Sequence, residues 1–140
     1  MKTKYKHALM DMAKRFAQTS EANRLKVGAI IYKNNSVISL GINGQPPGWP
    51  TENCEDEDGK TLPTVRHAEA AALEKLYVSN ETSEGSVMFV THAPCLQCAL
   101  KIKAAKITEV YYAEEYRDRS GIAYLKENEV SVARLEIPTH

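Results

Sequence analysis

Residues 87–113 read VMFVTHAPCLQCALKIKAAKITEVYYA, and this stretch decides the fold class. The apolar run from Val87 to Thr91 predicts a strand, and the pattern from Cys95 to Lys106 predicts a helix that begins just after Pro94. A second β-rich run, from Val110 to Ala113, follows that helix. Because two strands joined through a helix pair in parallel, the stretch indicates an α/β protein.

The sequence on either side extends this unit. Further helices are predicted at 3–18, 67–77 and 122–128, and further strands at 27–32, 37–40 and 130–137. Four polar residues, two of them asparagines, separate the first two strands, which favours an antiparallel hairpin. The element order is αββαβαβαβ, so the predicted sheet mixes antiparallel and parallel pairs.

The segment between Gly41 and Arg66 is predicted to be a long loop, because proline and glycine punctuate it. Its acidic run, within residues 51–60, is interpreted as a solvated surface rather than as a binding site. Cys54 in this segment is expected to be a packed or free thiol. Trp49 is read equally well as a core or interface aromatic and as a lid over a ligand.

Composition narrows the class of partner. The 140 residues fit a single domain, residues 1–140, and 18 basic residues balance 18 acidic ones. Nucleic-acid binders usually carry a basic excess, so this balance favours a small-molecule partner. No apolar run approaches the roughly 20 residues that span a bilayer, and we expect neither a membrane partner nor a signal peptide. The odd count of 3 cysteines suggests reduced thiols in the cytoplasm.

Two short motifs carry the chemistry: HAE at 67–69 and PCLQC at 94–98, each at the predicted start of a helix. Cys95 and Cys98 are three positions apart, so they share one helix face, and the helix N-terminus favours their thiolates. Two thiolates and the imidazole of His67 supply three tetrahedral ligands for Zn²⁺. Three protein ligands with a fourth position open for water are typical of a catalytic zinc site.

Glu69 follows the histidine by two positions and gains a clear role in such a site. Its carboxylate can take a proton from the activated water and deliver it to a ring nitrogen and a leaving amine. The other candidates for a fourth ligand are His7, His92, His140 and Cys54. None of them has a recognised metal-ligand spacing, so the open site is preferred to a closed one. A redox pair would not require the HAE motif upstream, so a zinc site is also preferred to a redox pair or two packed thiols.

The two motifs together are the signature of zinc-dependent nucleobase deaminases. The chain resembles the cytidine and deoxycytidylate deaminase superfamily over nearly its full length, and within it the deoxycytidylate (dCMP) deaminases. The matching stretches are VGAII at 27–31, GINGQP at 41–46, HAE at 67–69, PCLQCA at 94–99 and EYRD at 115–118. The resemblance implies a three-layer α/β/α fold with a five-stranded mixed sheet, and hydrolysis of dCMP to dUMP and ammonia.

The resemblance also implies roles for individual residues. It assigns zinc to His67, Cys95 and Cys98, and proton transfer to Glu69. The implied substrate contacts are Asn43 at the sugar hydroxyl, the backbone N–H of Ala68 and the carbonyl beside Pro94 at the base, Tyr116 near the nucleotide, and Arg24 and Lys26 as phosphate partners.

The chain departs from the family pattern at two places. Ala71 stands where many relatives have asparagine, and the region of Cys54 lacks the additional ligands with which larger relatives hold a second zinc. We therefore expect one zinc ion per chain. Relatives commonly assemble with active sites near subunit contacts, so a homo-oligomer is expected by analogy.

Three alternatives stay open on the sequence. A related deaminase would act on cytidine, deoxycytidine, dCTP or guanine, or edit a tRNA adenosine or single-stranded DNA, although the zero net charge argues against a nucleic-acid groove. A non-catalytic zinc-binding module would keep the same shell without turnover. A thiol oxidoreductase would form a reversible disulfide between Cys95 and Cys98 in place of a metal site.

Overall fold

The predicted strand–helix–strand unit is present in the computed structural model, which describes residues 1–136. The helices are α1 (Thr3–Ala17), α2 (Ala68–Leu76), α3 (Leu96–Ala104) and α4 (Ser120–Glu127). The strands are β1 (Gly28–Lys33), β2 (Ser36–Ile42), β3 (Val87–His92), β4 (Glu109–Glu114) and β5 (Ser131–Arg134). The order matches the predicted order αββαβαβαβ.

The five strands form one mixed sheet in the order β2-β1-β3-β4-β5. β1 is antiparallel to both β2 and β3, whereas β3, β4 and β5 run parallel. The hairpin between β1 and β2 turns at Asn34 and Asn35, whose φ angles are 51° and 61°. Asparagine tolerates positive φ, which is why the two asparagines permit this tight turn.

Helices cover both faces of the sheet. On one face α1 packs its buried Leu9, Met10 and Ala13 against Ile30 and Phe89. On the other face α2, α3 and α4 bury a larger cluster that includes Leu73, Ile102 and Leu125. The predicted three-layer α/β/α architecture with a five-stranded mixed sheet is therefore confirmed.

The topology brings the ends of several strands together at one edge of the sheet. Because β1 runs opposite to β3, its first residue, Gly28, lies at the edge where β3 and β4 end. Gly28 also pairs with Ile42, so β2 ends at this edge as well. The loops that enter β1 and leave β2, β3 and β4 consequently meet at one place, where ligands of open α/β sheets commonly bind.

The element boundaries differ from the predicted ones by a few residues. α2 begins at Ala68 and α3 at Leu96, with His67 and Cys95 as the residues that precede each helix. β5 ends at Arg134, short of the predicted Ile137, which together with His140 lies outside the described residues. None of the helices within residues 1–136 has the length and apolar character to cross a bilayer.

Candidate active site

Two helices begin at the edge of the sheet where these loops meet, and the residues at their starts carry the side chains of the HAE and PCLQC motifs. His67 precedes α2 and Cys95 precedes α3, both with extended backbones, and Cys98 lies in the first turn of α3. Neither His67 nor Cys95 uses its side chain to cap its helix. The imidazole and the thiol are therefore left to interact with each other across the gap between α2 and α3.

The three side chains converge to within the span of one metal ion. His67 Nδ1 lies 3.2 Å from Cys98 Sγ and 3.6 Å from Cys95 Sγ. All three ligand atoms lie within 4.8 Å of one another. Tetrahedral zinc with ordinary Zn–S and Zn–N bond lengths places such ligand atoms roughly 3.5–3.8 Å apart. The donor set and its spacing therefore fit zinc with little rearrangement.

No second cluster of this kind exists among residues 1–136. Cys54 is buried, being 1% exposed, and its thiol lies 3.6 Å from the carbonyl oxygen of Glu52. His7 and His92 also lie outside the group formed by His67, Cys95 and Cys98. The described residues thus offer three protein ligands at this site, the number found in catalytic zinc centres.

The two thiols of this group differ in acidity. Hydrogen bonds from Cys98 and then from His67 lower the pKa of Cys95 to about 4. The same bond to Cys95, together with burial, raises the pKa of Cys98. The hydrogen bond to Cys95 also raises the pKa of His67, against the opposing effect of burial. The first proton of the pair is therefore lost at Cys95, at a helix start that favours a thiolate.

Glu69 is a buried carboxyl beside this group, only 4% exposed. Burial raises its pKa, while the nearby imidazole of His67 acts in the opposite direction. Carboxylates are seldom buried without a partner, because the charged form loses its hydration. A carboxyl that can hold a proton in a cavity is suited to move that proton to and from a reacting molecule.

The metal-ligand group opens into a cavity of about 400 Å³, within the usual range for small-molecule sites. His67, Ala68, Glu69 and Cys95 are among the residues that line it. Asn43, Arg24 and Tyr116, which were predicted to bind substrate, also line it. Tyr116 is 42% exposed, which places it at the rim rather than in the core.

The side chain of Asn43 is held in place by the backbone that enters β1. Its Oδ1 accepts a hydrogen bond from the N–H of Val27 at 2.8 Å, and its Nδ2 donates to the carbonyl of Leu25 at 2.6 Å. A carboxamide has two donor hydrogens and two lone pairs on oxygen, so one of each stays available to a ligand. Asn43 thus orders the cavity wall and can still contact a sugar hydroxyl.

Two of the predicted contacts are absent from the cavity wall in the described residues. The ammonium group of Lys26 donates instead to the carbonyl of Ser20. Pro94 is fully buried, and its neighbour Ala93 lines the cavity in its place. Lys26 is therefore not among the residues that line the cavity, whereas Ala93, whose carbonyl is next to Pro94, is.

The structure adds Arg117 and His92, which the sequence analysis did not place at the site. Both line the cavity. Thr91 Oγ1 accepts the N–H of Gly28 at 3.2 Å and lies within hydrogen-bond distance, 3.0 Å, of His92 Nδ1. Burial lowers the pKa of His92, which favours its neutral form.

A signal for both residues exists in the sequence. Val90 packs with the α2–α4 cluster, and side chains alternate along a strand, so His92 belongs to the same face. Arg117 follows β4, a parallel strand whose carboxyl end lies at the ligand-binding edge. Strand direction and face locate His92, whereas Arg117 also lies within the EYRD stretch at 115–118 that resembles the family.

Gly121 braces the start of α3. A Cβ atom at this position would collide with the carbonyl oxygen of Pro94 and would lie 2.7 Å from the carbonyl carbon of Cys95. We expect Gly121→Ala to displace Cys95, to weaken zinc binding by about tenfold or more, and to cost about 1–3 kcal/mol of unfolding free energy. Competition with a chromophoric chelator measures the zinc affinity, and thermal unfolding measures the stability.

Gly44→Ala is the matched control, because a Cβ atom there meets nothing within 4 Å. This variant should bind zinc like the unmodified protein. An unchanged zinc affinity in Gly121→Ala would show that the contact between α4 and the start of α3 does not position Cys95.

Comparison with known proteins agrees with this geometry. A family model described as the cytidine and deoxycytidylate deaminase zinc-binding region matches residues 3–114. The solved structure of dCMP deaminase from cyanophage S-TIM5, in complex with dCMP and dUMP, is 46% identical with a TM-score of 0.94. It covers 96% of this chain, which in turn spans 98% of it.

Two curated relatives point the same way. A deaminase from the luxG 3' region of Aliivibrio fischeri is 36% identical over 119 residues, which cover 84% of this chain and 78% of that protein. The deoxycytidylate deaminase of Mycobacterium phage D29 is 35% identical over 112 residues, covering 71% of this chain and 86% of that protein.

Proposed function

This chain belongs to the cytidine and deoxycytidylate deaminase family, and on that premise we propose that it hydrolyses dCMP to dUMP and ammonia. The observation that carries the proposal is the buried carboxyl of Glu69 beside the convergent His67, Cys95 and Cys98, on the wall of a nucleotide-sized cavity. We propose that these three side chains hold one zinc ion per chain. When bound, the zinc supplies a Lewis acid that makes a water molecule more acidic.

Glu69 would move the protons of the reaction. Its carboxylate takes a proton from the attacking water as the oxygen bonds to C4 of the cytosine ring, and it returns that proton to ring nitrogen N3. A second proton then passes through Glu69 from the new hydroxyl group to the amino group, and the C4–N bond breaks. One water is consumed and one ammonia is released, so the atoms balance.

Backbone groups would orient the base. Ala68 is the first residue of α2, so its N–H has no partner within the helix, and it lines the cavity. This N–H and the carbonyl next to Pro94 offer a donor and an acceptor to the edge of cytosine. Asn43 is proposed to contact the sugar hydroxyl with the donor hydrogen that the backbone leaves unused.

Two arginines support a nucleotide rather than a nucleoside as substrate. Arg24 and Arg117 line the same cavity as His67. Within residues 1–136 neither guanidinium forms a salt bridge, whereas Arg66 and Arg119 each pair with a glutamate. Guanidinium groups bind phosphate oxygens with paired hydrogen bonds, and an arginine without an acidic partner can give all its donors to the ligand.

We expect Arg24→Ala and Arg117→Ala each to raise KM for dCMP by about 10- to 100-fold, since a hydrogen bond to a charged group contributes about 1.5–3 kcal/mol. KM for deoxycytidine, which lacks the phosphate, should change by less than about threefold. Steady-state kinetics with both substrates measure the difference. Arg15→Ala, on the exposed surface of α1, is the control and should alter neither value. Equal losses on both substrates would contradict a phosphate-binding role.

A substrate panel tests the proposed function directly. Protein loaded with zinc is assayed with cytidine, deoxycytidine, dCMP, dCTP and guanine, following loss of substrate absorbance and release of ammonia. We expect kcat/KM to be highest for dCMP. Absence of turnover with dCMP, or a higher kcat/KM for another member of the panel, would overturn the assignment.

We propose a single deaminase domain, residues 1–140, that acts in the cytoplasm on a small-molecule nucleotide, with no membrane or nucleic-acid partner. Reduced cysteines and the zero net charge support this setting. By analogy with relatives we also propose a homo-oligomer.

A further inference from the structure

We infer that Glu55 is a positioning residue that holds Arg24 at the phosphate end of the cavity. Glu55 belongs to the acidic segment, residues 51–60, which the sequence analysis interpreted as a solvated surface. The inference rests on the proposed function, because it explains how the site selects a phosphorylated substrate.

The carboxylate of Glu55 binds the backbone that carries Arg24. Its Oε1 and Oε2 accept hydrogen bonds from the N–H of Asn23 at 3.2 and 3.1 Å, and Oε2 also accepts from the N–H of Arg24 at 3.3 Å. Bonds from a backbone N–H to a carboxylate are stronger than neutral ones. Glu55 and Arg24 both line the cavity, so this contact lies on its wall.

The segment around Arg24 needs such a contact because it has no regular structure of its own. Residues 18–27 lie between the end of α1 and the start of β1, outside any helix or strand. Asn43 fixes Leu25 and Val27 through its carboxamide. In the part of the chain that the structure describes, Glu55 is the one side chain bonded to the backbone N–H groups of positions 23 and 24.

Glu55 is itself held firmly, which a solvated acidic residue would not be. The adjacent Cys54 is fully buried, and its carbonyl accepts the N–H of Leu62 at 2.8 Å. Glu55 forms an antiparallel bridge with Thr61. The side chain of Asp56 accepts the N–H of Lys60 at 3.0 Å and closes the turn. The acidic segment is thus folded, and Glu55 links it to the residues that lead into β1.

Charge alone predicts the opposite effect. A carboxylate in the cavity wall repels a phosphate, so its removal would lower KM for dCMP if repulsion were the main contribution. If Glu55 instead holds Arg24 in place, removing its carboxylate leaves the guanidinium less well positioned and raises KM for dCMP. The direction of the change therefore separates the two roles.

The test compares Glu55→Ala and Glu55→Gln with Glu57→Gln, a matched control in the same segment whose side chain is exposed. We expect Glu55→Ala to raise KM for dCMP by about 5- to 20-fold at unchanged kcat, with less than about twofold change for deoxycytidine. Glu55→Gln keeps an acceptor oxygen and should give a smaller rise. Glu57→Gln should match the unmodified protein.

A double-mutant cycle with Arg24→Ala identifies the route of the effect. If Glu55 acts through Arg24, adding Glu55→Ala to Arg24→Ala should raise KM for dCMP by less than about twofold further. The inference would be overturned if Glu55→Ala raised KM for dCMP as much in the Arg24→Ala background as it does alone. It would also be overturned if Glu55→Ala raised KM for deoxycytidine equally, or lowered KM for dCMP. Thermal unfolding of each variant shows whether a change in KM reflects a loss of folded protein. If Glu55→Ala proves unstable, the KM of Glu55→Gln decides the question.

The result also distinguishes failure of this inference from failure of the proposed function. Turnover of dCMP by the unmodified protein, with a raised KM in Arg24→Ala, supports the proposed function whatever Glu55 does. An unmodified protein without activity on dCMP would remove both.

Discussion

Glu69→Gln is expected to lower kcat for dCMP by about 10³- to 10⁴-fold while the protein still binds one zinc ion per chain. Glutamine preserves the shape of the side chain but can neither accept the proton of the attacking water nor pass it to the ring. Glu69 is not part of the ligand group formed by His67, Cys95 and Cys98, so the metal should stay. Single-turnover kinetics and metal analysis by mass spectrometry measure the two quantities.

Glu81→Gln is a suitable control, since Glu81 is exposed. Turnover by Glu69→Gln within tenfold of the unmodified protein would contradict the proton-transfer role. The experiment also separates an enzyme from a non-catalytic zinc-binding module, because a module would bind its ligands equally well with either residue.

Cys98→Ala is expected to abolish zinc binding and turnover together. Alanine is preferred to serine, because a serine hydroxyl could keep a polar contact with His67 Nδ1, which lies 3.2 Å from Cys98 Sγ. Loss of one of three protein ligands should reduce the zinc content after dialysis from one ion per chain to nearly none and kcat by at least about 10³-fold. A chelator should lower the melting temperature of the unmodified protein but not that of the variant.

Cys54→Ala controls for the loss of a buried thiol, because Cys54 is buried outside the ligand group. It should lose some stability and keep its zinc. Full zinc content in Cys98→Ala would contradict the assigned ligand set. A reversible disulfide between Cys95 and Cys98 in metal-free protein as isolated would favour the thiol oxidoreductase instead.

The parts of the fold and site that were predictable from the sequence are those written in local patterns. The run from Val87 to Ala113 shows strand, helix and strand in order, and each element appears within a few residues of its predicted bounds. His67, Cys95 and Cys98 were identifiable as a group because each lies at the beginning of a helix, where a short motif also fixes the direction of the side chain.

Other features depend on contacts between distant segments and leave no periodic trace. Glu55 reaches the backbone of positions 23 and 24 across more than thirty residues, so the acidic run looked like ordinary surface. Lys26 has a long flexible side chain, and its ammonium group donates to the nearby carbonyl of Ser20 instead of lining the cavity. Spacing along the chain cannot rank such competing partners.

The sheet separates the helices that carry the candidate metal ligands from α1, which packs on the opposite face. Leu9, Met10 and Ala13 of α1 pack on the face opposite to the helices that carry His67 and Cys95. Layers packed on a sheet are separated from it by about 10 Å, a distance at which the effects of two substitutions usually add. An engineer seeking a hardier enzyme could therefore optimise the α1 layer first, and combine those changes freely with any redesign of substrate preference.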